Sequence, residues 1–413
     1  MNLLVATLLV FSFSNDHTNL LYSCGETAEF RVKVTEADGQ APTGGVLTAR
    51  LDNFGPKKIA QVSWNLAETN VFTISGKLDE PGFLRLTVDG KVWSVGYEPE
   101  KIEKGSPSPD DFDAFWAEAR AKLAREVPLD PRVELVEERT TAAFSFYRVS
   151  FATFGRRVHG LLTVPKDQAK APYPVIVGVN AAGFGRWTND LKGRPDAICA
   201  QFSVYDWPMD WNWEKAGLKR KYDDLNDACK AKYGTGYQCA GLAASREECF
   251  FYPVMLGIDR AVDYLAQNYP VDAARFRYQG TSQGGGFGFY LCALNRRFTR
   301  AVFYVPAITD TMGCLKGRQS GWPRPYETYK TEEARAALAE TAPYFDGANF
   351  ASRVTCPVRV AVGFADTTCA PCAVYAAYNE IKSPDKEIRH GFGMTHSCFA
   401  RFYDELGRWL CDD

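Results

Sequence analysis

The tightest constraint on this chain is the run Gly280-Thr281-Ser282-Gln283-Gly284. A short strand-like stretch, Phe276-Arg277-Tyr278-Gln279, precedes it, and a helix-like run from Phe287 to Leu294 follows. Joining the two elements through so few residues forces a tight strand-to-helix turn. Flanking glycines remove the side chains that would clash there. The N-terminus of the following helix favours negative charge developing near Ser282. The competing reading is a glycine-rich turn with an incidental serine, because G-x-S-x-G arises often by chance. The strand before and the helix after favour the elbow.

Beyond residue 109, strand-like and helix-like patterns alternate, which is the signature of an α/β sheet. Strands are predicted at 174–179, 301–305, 358–362 and 387–391, and a helix over 254–266. Residues 181–250 show no clear periodicity and are rich in Trp, Tyr and Asp, so loops over the sheet edge are expected. Ser108 stands where an N-cap belongs, Pro109 at the first helical position and Asp110-Asp111 in the first turn. Phe112, Phe115, Trp116, Ala119 and Leu123 then give an apolar stripe at helical spacing. Ahead of this helix, 99–108 reads as a polar, Pro-containing linker. Residues 20–98 alternate apolar and polar positions, as in Phe30, Val32, Val34 and Leu47, Ala49, Leu51. Turn clusters such as Asp89-Gly90 separate the runs, which predicts a small antiparallel, Ig-like β-sandwich. The expected organisation is 1–19 a signal or first strand, 20–98 the sandwich, 99–108 the linker and 109–413 the α/β domain.

A length of 413 residues fits two or three domains. The net charge of −2 and the lack of a basic run leave no electrostatic footprint for nucleic acid. The apolar run Met1–Phe13 is too short for a membrane span, and fits either a signal h-region or a buried first strand. Twelve cysteines, several in loop-like segments, point to an oxidising compartment. A periplasmic or secreted location is therefore expected, with the bacterial cytoplasm as the alternative.

A serine hydroxyl is a weak nucleophile and needs a base that a third group orients. α/β-hydrolases supply these in the order Ser, acid, His. Of four histidines, only His390 and His396 follow Ser282. His390 lies within a predicted strand, whereas His396 falls in the loop after it, where the base belongs. The strand 358–362 runs into Asp366, the natural acid, with Asp346 and Asp385 as rivals. The oxyanion donors are expected to be the backbone N–H of Gln283 and that of Ala181 or Ala182. If Asp366 and His396 meet, Cys369, Cys372 and Cys398 come close as well. A disulfide from Cys398 to Cys369 or Cys372 is expected to clamp the two loops. The alternatives are a Cys-x-x-Cys redox pair and a zinc site with His396; zinc would consume the base, so neither metal nor cofactor is expected.

Residues 105–413 resemble the acetyl xylan esterase and cephalosporin C deacetylase group, carbohydrate esterase family seven. The matching stretches are Asp111-Phe112-Asp113-Ala114-Phe115-Trp116, the elbow extended through Gly285, Tyr344 to Phe350, and Gly363-Phe364-Ala365-Asp366 with Cys369-Ala370-Pro371. The resemblance implies an α/β-hydrolase fold and metal-free deacetylation of xylo-oligosaccharides or other small acetyl esters through an acyl-serine. It places Ser282, Asp366 and His396 in the catalytic triad and implies a homo-oligomer. Two stretches depart from the family's pattern: Asn180-Ala181-Ala182 replaces His-Gly-Tyr, and Tyr205-Asp206-Trp207-Pro208 replaces an Arg-Gly-Gln motif. They touch the acyl pocket, the second oxyanion donor and the assembly, not the triad. The readings left open are a bulky-ester hydrolase, an oligopeptidase and a non-catalytic glycan-binding protein.

Overall fold

Alternating apolar and polar side chains make two-faced strands, and the region ahead of residue 98 is built from them. In the computed structural model, which describes residues 8–412, Leu9–Asn15, Ala28–Glu36 and Val71–Gly76 form a three-stranded antiparallel sheet. A second sheet has five strands in the order Leu21–Tyr22, Lys91–Tyr97, Gly82–Val88, Val46–Asp52 and Lys58–Asn65. Phe30, Val32 and Val34 of the first sheet share one core with Leu51, Leu84 and Leu86 of the second. Trp64 and Phe72 stack between them at 4.8 Å. The N-terminal apolar run therefore forms a strand over Leu9–Asn15, ahead of the expected start at residue 20, while residues 1–7 lie outside the described residues.

The second layer of organisation is a nine-stranded sheet. From edge to edge it runs Lys386–Gly391, Val358–Gly363, Arg300–Tyr304, Val271–Thr281, Tyr173–Val179, Ile198–Ser203, Arg156–Pro165, Phe144–Thr153 and Arg132–Leu135. The first six are parallel and the last three antiparallel. Parallel strands covered on both faces are apolar almost throughout, as Val175, Val177, Val302, Phe303, Val358 and Val360 show by their complete burial. Because the six share one direction, the loops after Val179, Thr281, Gly363 and Gly391 all emerge at one edge, where α/β sheets place ligand sites. Among the described residues no helix is long and apolar enough to cross a membrane.

Two expectations change. The first long helix spans Phe112–Glu126 with Asp111 as its cap residue, not Ser108. The Ser108 hydroxyl is instead engaged with Asn349 at 3.2 Å and Lys104 at 2.8 Å, so tertiary partners outcompete the local cap. The segment 181–250 is not only loop: it holds the strand Ile198–Ser203 and the helix Leu218–Tyr233. The strand reads Ile-Cys-Ala-Gln-Phe-Ser, a composition of low β-propensity, and its central place in the sheet overrides that. The linker 99–108 is pinned along its length, with Asn379 donating to the carbonyls of Pro99 and Ile102 and Asn349 to that of Pro107.

The elbow depends on backbone approaching backbone. A Cβ at Gly284 would lie 2.1 Å from the carbonyl oxygen of Val179 on the neighbouring strand, which has no room to retreat. Gly284→Ala is expected to lower stability by about 3 kcal/mol, the upper part of the overpacking range. Gly407→Ala, in a C-terminal helix with open space around the added Cβ, is expected to be neutral or slightly stabilising. Urea unfolding of both variants checks the contrast.

Candidate active site

Ser282 sits between the strand Val271–Thr281 and the helix Gln283–Leu294, with φ 55° and ψ −119°. A positive φ at a serine is strained, and such strain persists only where surrounding bonds over-determine it. Here the Ser282 N–H donates to the Tyr304 carbonyl at 2.9 Å. Its own carbonyl accepts from Gly286 at 3.0 Å and Ala307 at 2.9 Å. The side chain is thereby aimed at the carboxyl edge of the sheet.

The structure brings three of the predicted residues together there. His396 Nε2 lies 2.9 Å from Ser282 Oγ, and His396 Nδ1 lies 2.9 Å from Asp366 Oδ2. The other carboxylate oxygen, Asp366 Oδ1, accepts the N–H groups of Thr368 at 2.8 Å and Cys369 at 2.9 Å. Asp366 has no solvent exposure, whereas the His396 side chain is 34% exposed. The Cys369 side chain is buried beside Asp366 and His396. Burial, reinforced by the Asp366 charge, pushes its thiol well above its ordinary value. At neutral pH it is a thiol, not a rival nucleophile.

The rivals sit elsewhere. His390 stays within its strand, with Nε2 2.6 Å from the Tyr375 hydroxyl. Asp346 is a buried structural hub that accepts from the N–H groups of Asp310, Thr311 and Ala348 and from the Ser106 hydroxyl. Asp385 pairs with Arg359 at 2.6 Å on the surface.

The loop after Val179 is fixed by a polar relay. The Asn180 N–H donates to Phe202 at 2.9 Å, and the Gly183 N–H to the Tyr205 hydroxyl at 2.9 Å. The Tyr205 and Tyr237 hydroxyls lie 3.1 Å apart, and Tyr237 donates to Gln283 Oε1 at 2.8 Å. The amide of Gln283 donates in turn to the Asn180 carbonyl at 3.2 Å. The relay ties the loop carrying Ala181 and Ala182 to the first residue of the elbow helix. Gln283 opens that helix, so its backbone N–H has no intrahelical acceptor.

The acid and base loops are clamped, but not by sulfur. All twelve cysteines are free, so the expected disulfide does not form. Cys372 turns to the Gln319 carbonyl at 3.7 Å, and Cys398 packs on the separate apolar cluster around Tyr304, Met394 and Phe402. Main-chain bonds do the joining instead: Phe364 N–H to Gly391 O and Ala365 N–H to Met394 O, both 3.0 Å.

The N-terminal sheets reach these same loops. The Ser94 hydroxyl donates to the Phe364 carbonyl at 2.5 Å, and Phe83 meets the Phe364 ring edge-on at 5.0 Å. Trp93 packs against Gly393, where a Cβ would sit 2.6 Å from the ring. No local pattern marks Ser94 or Tyr237, whose partners lie 270 and 46 residues away in sequence. A cavity of about 790 Å³ lies where Pro81, Phe83 and Lys101 face Lys316 and Arg318, and holds none of the three residues. A cavity of about 340 Å³ lined by Ala181, Gly280, Thr281, Tyr304 and Tyr403 borders the elbow but likewise holds none of the three.

A parallel-rich sheet with a serine elbow, followed in sequence by an acid and a histidine at the same edge, defines an α/β-hydrolase. Residues 98–413 match the acetyl xylan esterase family (AXE1). The chain is 32% identical over 325 residues to the acetyl esterase Axe7A of Xylanibacter ruminicola, covering 76% of this chain and 70% of that one. It belongs to the acetyl xylan esterase family and is a carboxylic ester hydrolase. In fold it is similar to the acetyl xylan esterase from Paenibacillus sp. R4, at 24% identity and TM-score 0.59, with 76% of this chain and 98% of that one covered. It is likewise similar to acetyl xylan esterase 1 from Thermoanaerobacterium sp. JW/SL YS485, at 19% identity and TM-score 0.61, over 76% and 96% of the chains.

Two predictions arise from this geometry. Ser94→Ala removes the donor to a buried carbonyl, so stability should fall by about 1–2 kcal/mol. Hydrogen–deuterium exchange should rise at Ala365 to Cys369 ahead of the rest of the sheet. Burial also lowers the His390 imidazole below its ordinary value of 6.5. Below that pH the unfolded chain takes up a proton that the folded chain refuses, so stability is lost as pH falls. His390→Gln, which keeps a partner for Tyr375, should lose less stability than wild type between pH 7 and 5 in urea titrations.

Proposed function

We propose that this esterase removes acetyl groups from acetylated xylo-oligosaccharides or similar small acetyl esters through an acyl-serine intermediate. The observation that carries the reading is the pair of 2.9 Å contacts linking Ser282 Oγ to His396 Nε2 and His396 Nδ1 to Asp366. His396 takes the Ser282 proton as Oγ attacks the acetyl carbonyl, and Asp366 holds the ring and stabilises the imidazolium. The oxyanion is bound by the N–H of Gln283 and by one from the loop after Val179. Within that loop the amides of Asn180 and Gly183 are already committed, which favours Ala181 or Ala182 as the second donor. His396 then returns the proton to the leaving sugar hydroxyl. Water repeats the attack under the same base and releases acetate.

The acetyl group of cephalosporin C is chemically equivalent to these esters and belongs in the substrate panel. Ser282→Ala is expected to lower kcat by about 10⁴-fold or more with the fold retained. Acetate release from acetylated glycans measures this, alongside p-nitrophenyl esters of increasing chain length and a peptide anilide. Wild-type turnover in the variant, or a preference for long esters or the anilide, would overturn the reading.

A further inference from the structure

Among the described residues, Asp366, Cys369 and His396 each offer a ligand atom, and these atoms lie within 4.8 Å of one another. We propose that they form an inhibitory site for a thiophilic divalent cation such as Zn²⁺ or Cd²⁺. The inference rests on the triad reading above and concerns regulation of that same site.

The donor chemistry is selective. One sulfur, one imidazole nitrogen and one carboxylate oxygen make a set that suits zinc, whereas Mg²⁺ and Ca²⁺ require oxygen ligands. In a tetrahedral zinc site, bond lengths of about 2.0–2.3 Å place donors about 3.5 Å apart. The observed spread therefore needs a contraction of about an ångström, within reach of side-chain torsions. Two features prepare the site. Asp366 is oriented by the Thr368 and Cys369 amides, the kind of outer support that holds metal ligands in place. Cys369 also neighbours the Ser282 hydroxyl, which leaves a fourth position for that oxygen or for water. The ion enters from the His396 side, the one exposed member of the group.

Binding is a simple exchange without redox change. The cation displaces the Cys369 thiol proton, which passes to water, and forms bonds to sulfur, nitrogen and oxygen. It thereby occupies the imidazole that must accept the Ser282 proton, or breaks the imidazole's link to Asp366. Either outcome stops acyl transfer, and a chelator restores it. The ligand set differs from the zinc alternative raised by the sequence, since Cys372 and Cys398 face other partners.

The test titrates wild type and Cys369→Ser with Zn²⁺, each normalised to its own metal-free rate of acetyl ester hydrolysis. Wild type should lose activity reversibly, with EDTA restoring it and Mg²⁺ without effect. Cys369→Ser should need at least about 10-fold more Zn²⁺. Separately, Co²⁺ should give a thiolate-to-metal absorption band in wild type and in Ser282→Ala that disappears in Cys369→Ser. If Cys369→Ser does not fold, cadmium NMR of wild type reports the same point, with a shift for one sulfur ligand expected. Equal Zn²⁺ sensitivity in both proteins, no cobalt band, or a cadmium shift without sulfur would overturn the metal site. The spectroscopic readouts need no turnover. A cobalt band with full activity in Ser282→Ala would sink the esterase reading alone, and Ser282-dependent activity without the band would sink the metal site alone.

Discussion

A carboxylate with no access to water must find its solvation inside the protein. Asp366 is such a group, and two loops are joined in satisfying it. Two backbone amides on the turn that follows it occupy one oxygen, and the His396 imidazole takes the other. Those amides are available only because the chain bends sharply after Gly363, and the imidazole arrives only because the neighbouring parallel strand ends at the same edge. Removing either partner would leave a buried charge underserved, so the acid loop and the base loop are energetically one unit.

That coupling explains why the N-terminal sheets are more than an appendage. Ser94, Phe83 and Trp93 contact Phe364 and Gly393, the residues on either side of the Asp366–His396 link. A second route runs through Gln319: its N–H donates to Phe54 of the N-terminal region, and its side-chain amide to the carbonyl of Thr367. Asn53 adds a bond to Gly317 at 2.8 Å. The sheets therefore cover the back of the acid loop with both apolar surface and hydrogen bonds. A wall of this kind limits the torsional freedom of the segment that carries Asp366, which a site needing placement within a fraction of an ångström requires.

The elements that could be read from sequence were those with strong local signals. The elbow carries its glycines, the buried parallel strands are continuous apolar runs, and the residues Asp366 and His396 end or follow such strands. What stayed hidden depends on distant partners. The strand Ile198–Ser203 has a weak composition and is a strand because its neighbours are. Ser108 looks like a helix cap, yet Asn349 and Lys104 claim its hydroxyl. A disulfide joining the two loops is expected from the sequence, yet main-chain bonds at 3.0 Å make the junction and Cys372 and Cys398 pack against other residues.

The two stretches that depart from the family pattern prove to be neighbours. Asn180 Oδ1 accepts the N–H of Val204 at 3.1 Å, and the Tyr205 hydroxyl accepts that of Gly183. The loop after Val179 and the turn after Ser203 are thus one structural unit, continued through Tyr237 to Gln283. Two half-buried alanines, Ala181 and Ala182, lie at the start of this loop, and their methyl groups can do little to shape it. The tyrosine hydroxyls and the Asn180 amide set it from behind, and aromatic contacts among Tyr205, Tyr222 and Tyr237 hold those hydroxyls in place. The backbone of this loop is thus tied at Asn180 and Gly183 to a buried aromatic network, not held by the side chains of its own alanines.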